Sequence, residues 1–231
     1  MTNPATLTFA SWNIHGFKGE GRRPDPERTL RILRAIDADV VALQEVDGRA
    51  HLGRLPQAFE RLAEGLPGHR VEARLFGAAG REYGHLLWSR WPILAATIHA
   101  LPGPGFEPRA AIEGVVETPL GRVRVLAAHF GLRPQARRAQ AAFLAGLAVP
   151  GEATVALGDF NEWRGEGGVH RRLSAVLPLT VRRPSWPARR PLVALDRLYA
   201  SSDLRLVDAE VVAEGAPASD HRPLKVTLRM R

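Results

Sequence analysis

Short apolar runs of strand character recur along this chain, and several stop abruptly on a residue that can do chemistry. The run TVALG ends in Asp159, Phe160 and Asn161; FASW ends in Asn13, VVALQ in Glu45 and VRVLAA in His129. A carboxylate or amide at the end of a buried strand carries a desolvation cost unless it is hydrogen-bonded, paired or bound to a cation. Between these runs lie a few stretches of helical spacing. PERTLRILRAI (26–36) sets Leu30, Leu33 and Ile36 on one face behind Pro26. LPQAFERLAEGL (55–66) is amphipathic with Gly65 near its stop, and RPQARRAQAAFLAGLAV (133–149) is the longest helical candidate.

Strands are predicted at 7–14, 39–46, 70–76 and 85–93, the last bounded by Pro92. A hairpin is predicted from 109–117 and 121–130, joined by TPLG, followed by strands at 153–161, 192–201, 204–215 and 222–230. Residues 162–191, rich in Arg, Gly, Pro and Trp, show no clear pattern. Many strands, few helices and no strict βαβ alternation predict an α/β sandwich of mixed sheets with helices outside. The 231 residues show no repeat, heptad or linker, so a single domain, 1–231, is expected.

Composition excludes some classes. There is no cysteine, hence no disulfide framework and no thiolate zinc site. The N-terminal MTNPATLTFASWN lacks a basic start followed by an apolar core, and no apolar stretch approaches a membrane span. These readings predict a cytoplasmic protein with no transmembrane segment, and no protein partner can be inferred. The net charge of +8 invites a polyanion. Lysine occurs only at 18 and 225, however, so the charge is nearly all arginine, and such skew also arises from biased genome composition. The arginines come as pairs (Arg22 and Arg23, Arg137 and Arg138, Arg171 and Arg172, Arg182 and Arg183, Arg189 and Arg190), the habit of a solvated surface.

Any one strand-end Asn or Asp is readily a turn residue. The set is harder to dismiss: Asn13, Glu45, His129, Asp159, Asn161, Asp196 in LVALDRLYA, and Asp220 with His221 in ASDHRPL. Converging strand ends would make of them one acidic, imidazole-lined pocket. Asp159 and Asn161 are two apart, so on an extended segment both leave one face while Phe160 enters the core. Gly158 allows close backbone approach. Competing chemistries lack their motifs. There is no GxSxG elbow and no HExxH, and the glycine-rich loop HGFKGEGRRPDP (15–26) lacks the GK[ST] of a P-loop. Ser219, Asp220 and His221 are sequence neighbours, which does not make a triad. Carboxylates and an amide without thiolate suit a hard cation, Mg²⁺ or Mn²⁺.

The ordered set SWNIHG, ALQEV, LLWSRWPI, AAHFGL, LGDFN, LDRLYAS and SDHRPL, spanning residues 12–224, resembles the endonuclease/exonuclease/phosphatase superfamily, and most of all its small bacterial hydrolases. The resemblance implies a four-layer sandwich, two mixed sheets face to face with helices outside. It also implies a Mg²⁺- or Mn²⁺-dependent phosphoesterase that hydrolyses a phosphodiester with an activated water. By the same resemblance Glu45 is the principal metal carboxylate, with Asn13 beside it and Asp220 near the metal. Asp159 orients or deprotonates the water, Asn161 holds a phosphoryl oxygen, and His129 donates to the non-bridging oxygens. His221, paired with Asp196, contacts the scissile phosphate, and Arg109 of PRAAI binds phosphate. Arg197, Arg222 and His85 depart from patterns common in the family's repair nucleases, which leaves substrate identity open. A nuclease is one reading, helped by charge and by RRPSWPARRP (182–191), where arginines flank Trp186 and could grip phosphates and stack a base. The alternative for that segment is a proline-braced surface loop. A phospholipid head-group or inositol-phosphate hydrolase is the second reading, and a non-catalytic binder of the same fold is the third.

Overall fold

The computed structural model of the chain describes residues 6–19 and 23–231; Arg22 and the middle of the glycine-rich loop lie outside the described residues. Two mixed sheets of six strands carry the fold. In the first, β1 (Leu7–Asn13) runs parallel to β2 (Val40–Asp47). Beyond β2 lie β4 (Tyr83–Ser89) and β3 (His69–Phe76), and beyond β1 lie β12 (Leu224–Met230) and β11 (Leu204–Val211), each antiparallel to its neighbour. In the second, β7 (Gly121–His129) runs parallel to β8 (Thr154–Asp159). It is flanked by β6 (Ala110–Thr118) and β5 (Ile93–Ala100) on one side, and by β10 (Asp196–Ala200) and β9 (Leu179–Arg182) on the other. Each sheet thus has one parallel pair at its centre. Parallel neighbours need a crossover, and each pair has a helix in it: α1 (Pro26–Ile36) leads from β1 to β2, and α3 (Pro134–Gly146) from β7 to β8.

The central strands are buried on both faces, and their side chains sort with period two. In β1, Leu7 and Phe9 enter the core between the sheets, while Ala10 and Trp12 pack with Leu30, Leu33 and Ile36 of α1 and Phe59 and Leu62 of α2 (Ala58–Gly65). In β8, Val155 and Leu157 enter the intersheet core, while Ala156 joins Leu144 of α3 and Val169 and Leu173 of α4 (Gly168–Ser174). The result is the expected four layers, helix, sheet, sheet, helix. Asp25 caps α1 by accepting from the Arg28 N–H at 2.9 Å, with Pro26 in the first turn.

Two local expectations fail for physical reasons. The strand expected at 85–93 ends at Ser89, and a separate edge strand, β5, begins at Ile93. Most of β5 is exposed, so ILAATIHA carries no burial pattern to find. The unpatterned stretch 162–191 holds α4 and β9. α4 is seven residues long and buries only Val169 and Leu173, too little for a helical period to register. Among the described residues no helix is long and apolar enough to cross a membrane.

Candidate active site

Ligand sites in α/β sheets gather beyond the carboxyl ends of strands, and here the two parallel pairs deliver their ends to one place. Asn13 ends β1, Glu45 lies near the end of β2, His129 ends β7 and Asp159 ends β8. β10 runs antiparallel to β8, so its first residue, Asp196, is the register partner of Asp159. Across the sandwich, β1 faces β8 and β10.

Special backbone geometry aims the side chains. Glu45 sits at a bulge between Leu43 and Val46 with φ +53, while those two neighbours stay in the core. His15 (φ +46), Phe17 (φ +62) and Asn161 (φ +51) also hold left-handed conformations. Such positions are uncommon for residues with a Cβ and gather at functional sites. Gly158 lies so close to β7 that a Cβ there would sit 1.9 Å from the Ala128 carbonyl oxygen.

A chain of polar contacts links the strand ends. Asn13 Nδ2 donates to Glu45 Oε1 at 2.9 Å and to Asp159 Oδ2 at 3.1 Å. The orientation of that amide is fixed, because its other atom accepts from the His15 backbone N–H at 3.1 Å and must therefore be oxygen. Asn13 thus faces the two carboxylates with its nitrogen and holds them. His221 Nδ1 lies 2.8 Å from Asp196 Oδ2, and His221 Nε2 lies 3.9 Å from Asp159 Oδ2. His129 Nε2 is 3.7 Å from the same oxygen.

Asn161 reaches the site by a different route from the one its spacing suggested. Its N–H donates to Asp159 Oδ1 at 2.9 Å, which closes a turn immediately after the strand, so the segment is not extended there. Asn161 Nδ2 donates to the Phe130 carbonyl at 2.9 Å. Phe160 is buried against Phe130 and Tyr199 as expected.

Arg109 precedes β6, donates to the Tyr83 hydroxyl at 3.0 Å and pairs with Glu107 at 3.1 Å. Burial works against its charge, but Tyr83, Glu107 and Glu45 hold it on. Trp186 is half-buried, and its Nε1 lies 3.4 Å from Asp220 Oδ2. Asp220 Oδ1 is 3.1 Å from His15 Nδ1, which is 3.7 Å from Glu45 Oε2. All ten predicted residues are therefore placed at this end of the sandwich.

The electrostatics separate acid from base. Burial would lower the pKa of His221, but Asp196, then Asp159 and Asp220, outweigh it and raise it to about 10. Burial raises the Asp159 carboxyl to about 6 against the pull of His221. His129 falls well below its ordinary value through burial and then Arg109, His85 and His221, so it is neutral. His85, buried beside Arg109, is pushed down to about 3. Burial would raise Asp220, yet its bond with His15 and the charge of His221 lower it to about 2.

Among the described residues no cluster of three or more His, Asp or Glu forms a ready metal cage. Glu45 and Asp220, both partly exposed, nevertheless supply oxygen donors alone, and Mg²⁺ typically needs only one or two carboxylates and keeps its waters. The donor set fits a hard divalent cation.

Several supporting residues escaped the sequence reading. Ser185 Oγ donates to Asp196 Oδ2 at 2.6 Å, Ser219 Oγ to the Asn13 carbonyl at 2.6 Å, and Trp12 Nε1 to the His221 carbonyl at 2.9 Å. Trp12, His15 and Ser219 lie inside the strand-end motifs, and Ser185 lies inside RRPSWPARRP, where only the arginines and Trp186 suggested a role.

A sequence profile of the Endonuclease/Exonuclease/phosphatase family matches residues 10–221. Uncharacterized protein YbhP of Escherichia coli strain K12 is 29% identical over 250 residues, spanning 100% of this chain and 99% of that protein. The crystal structure of an endonuclease/exonuclease/phosphatase from Beutenbergia cavernae matches with a TM-score of 0.81 at 21% identity, over 97% of this chain and 72% of that one. A mannosyl-6-phosphatase of Bacteroides thetaiotaomicron matches with a TM-score of 0.73 at 17% identity, over 96% and 99%. At such identities the two structures report a shared fold.

Proposed function

Because the chain belongs to the endonuclease/exonuclease/phosphatase family, a family of hydrolases, we propose that it is a Mg²⁺- or Mn²⁺-dependent phosphoesterase that cleaves a phosphodiester with an activated water. The observation that carries this reading is the linked set Glu45, Asn13, Asp159, His221 and Asp196.

Asp159 is the base. Its carboxyl, at about 6, is ionised at neutral pH yet basic enough to take a proton from water. Asn13 and the Asn161 N–H fix its two oxygens, so its direction is set before substrate arrives. His221 is a buried imidazolium oriented by Asp196, a fixed positive charge where the phosphoryl oxygens gain negative charge. Arg109 adds a second cation, and neutral His129 one N–H donor. One amide hydrogen of Asn161 is used by Phe130, which leaves the other for a phosphoryl oxygen. Glu45 and Asp220 would hold the cation, with Asn13 fixing Glu45. A bound divalent cation polarises the phosphoryl group and stabilises the leaving oxygen.

Nucleic acid is the substrate class we favour, from the net charge of +8 and the Trp186 segment beside Asp220. The test is a panel of plasmid DNA, RNA, an aryl phosphodiester, a phosphomonoester and phospholipid vesicles, run with wild type and Glu45→Ala. Metal-dependent cleavage of a diester by wild type alone is expected. DNA cleavage that falls steeply with salt supports the nucleic-acid reading, and lipid turnover without it favours the head-group reading. Hydrolysis of nothing in the panel overturns the proposal.

A further inference from the structure

A cleft of about 490 Å³ adjoins the reaction centre between α3, the loop after β8 and α4. Arg137 and Arg138 of α3, Trp163 and Arg164 of the loop, and Arg171 of α4 line it. Glu162, the residue after Asn161, joins the cleft to the catalytic strand end.

The charge in this cleft is not balanced. Arg137 is only 7% exposed, yet its Nε has no hydrogen-bond partner. Its Nη1 donates to the Leu132 carbonyl, and its Nη2 stands 3.9 Å from Glu162 Oε1. Burial lowers its pKa, and Glu162 does not offset that. A buried guanidinium so held lacks a proper counter-charge. The other lining carboxylate, Glu166, is engaged by Arg182 at 2.9 Å and by His170 at 3.4 Å. Arg138 and Arg164 are exposed, and no ion pair engages either among the described residues. Four arginines therefore surround a space in which Glu162 is the sole carboxylate without an ion pair shorter than 3.9 Å.

The aromatic wall gives the direction. Trp163, 57% exposed, meets Trp186 edge to face with centroids 5.1 Å apart, and Trp186 reaches Asp220. The cleft and the reaction centre thus lie on either side of a tryptophan pair. Guanidinium forks match the oxygens of phosphate.

We propose that this cleft is a subsite for a second phosphate group of the substrate, one that is not cleaved, held by Arg137, Arg138 and Arg164 while the connecting part of the substrate crosses Trp163. The inference rests on the phosphoesterase reading of the adjoining centre. It is tested with thymidine 5′-(p-nitrophenyl phosphate) and the same ester carrying a 3′-phosphate, using wild type and Arg138→Gln/Arg164→Gln. Both replaced side chains are exposed and make no internal ion pair, so the fold is kept. The wild type should prefer the bis-phosphorylated ester, and that preference in kcat/KM should fall about tenfold or more in the double variant. A preference that is absent, or that stays within about twofold of wild type in the double variant, overturns the proposal. Pyrophosphate titrated calorimetrically into chelator-treated protein gives a readout without turnover. Weaker binding in the double variant is expected, and equal or absent binding in the wild type overturns the subsite. Should the wild type hydrolyse no phosphoester, the functional reading fails, while this titration still decides the subsite.

Discussion

Replacing Asp196 by Asn tests the electrostatic core of the site, because it keeps the shape and removes one charge. Asp196 is fully buried and His221 is 4% exposed, so water screens their 2.8 Å contact little. His221 titrates at about 10 in the folded protein and at about 6.5 in an unfolded chain. A folded pKa raised in this way adds stability that is complete below pH 6.5 and is lost as the pH climbs through 10. At pH 7 the proton activity is still about a thousandfold above that at which the folded imidazolium gives up its proton, worth on the order of 4 kcal/mol at ~1.4 kcal/mol per tenfold. Asp159 and Asp220 supply part of this, so the loss in Asp196→Asn should be roughly 2–4 kcal/mol at pH 7. For a chain of this size that lowers Tm by roughly 5–15 °C. Urea denaturation of chelator-treated wild type and variant, repeated at pH 7, 9 and 10.5, reads the difference. The gap should be widest near neutrality and nearly closed at pH 10.5, and the His221 imidazole resonances of the variant should titrate near or below 7. A gap that does not change with pH would refute the argument, since it would mean that Asp196 acts by packing or hydrogen bonding and not through an imidazolium.

Gly158→Ala should be severely destabilised, by more than about 3 kcal/mol, because the new methyl meets the Ala128 carbonyl oxygen at 1.9 Å; a melting curve like that of wild type contradicts this. Trp12→Phe removes the 2.9 Å bond to the His221 carbonyl and should cost about 1–3 kcal/mol in denaturant titrations while leaving the imidazole pKa high. Chelator should abolish diester hydrolysis and Mg²⁺ or Mn²⁺ should restore it, as Glu45 and Asp220 offer only oxygen donors; full activity in chelator would remove the metal from the account.

Of the central strands, β2 and β8 were the most legible, because they are buried on both faces and open as apolar runs, VVAL and TVALG. α1 matches its expected bounds, 26–36, since Pro26 opens it and Leu30, Leu33 and Ile36 mark its buried face. β5, α4 and β9 were not legible, because an exposed edge strand and very short elements bury too few residues to leave a period. At the site, residue identity was visible and conformation was not. Asn161 was found by its two-residue spacing from Asp159, yet its left-handed backbone depends on a side-chain acceptor that spacing cannot express. The amide of Asn13 and the unbalanced Arg137 likewise depend on what arrives from distant strands and loops, which no local pattern records.

We propose that Asp159, held between Asn13, Asn161 and His221, activates the water that cleaves a phosphodiester. The most direct measurement is the turnover of Asp159→Asn on the best diester of the panel, at saturating metal and with its thermal melt recorded alongside. A folded variant whose kcat is lower by about 100-fold or more, with little change in KM, is the predicted result. A folded variant that turns over at the wild-type rate would contradict the account.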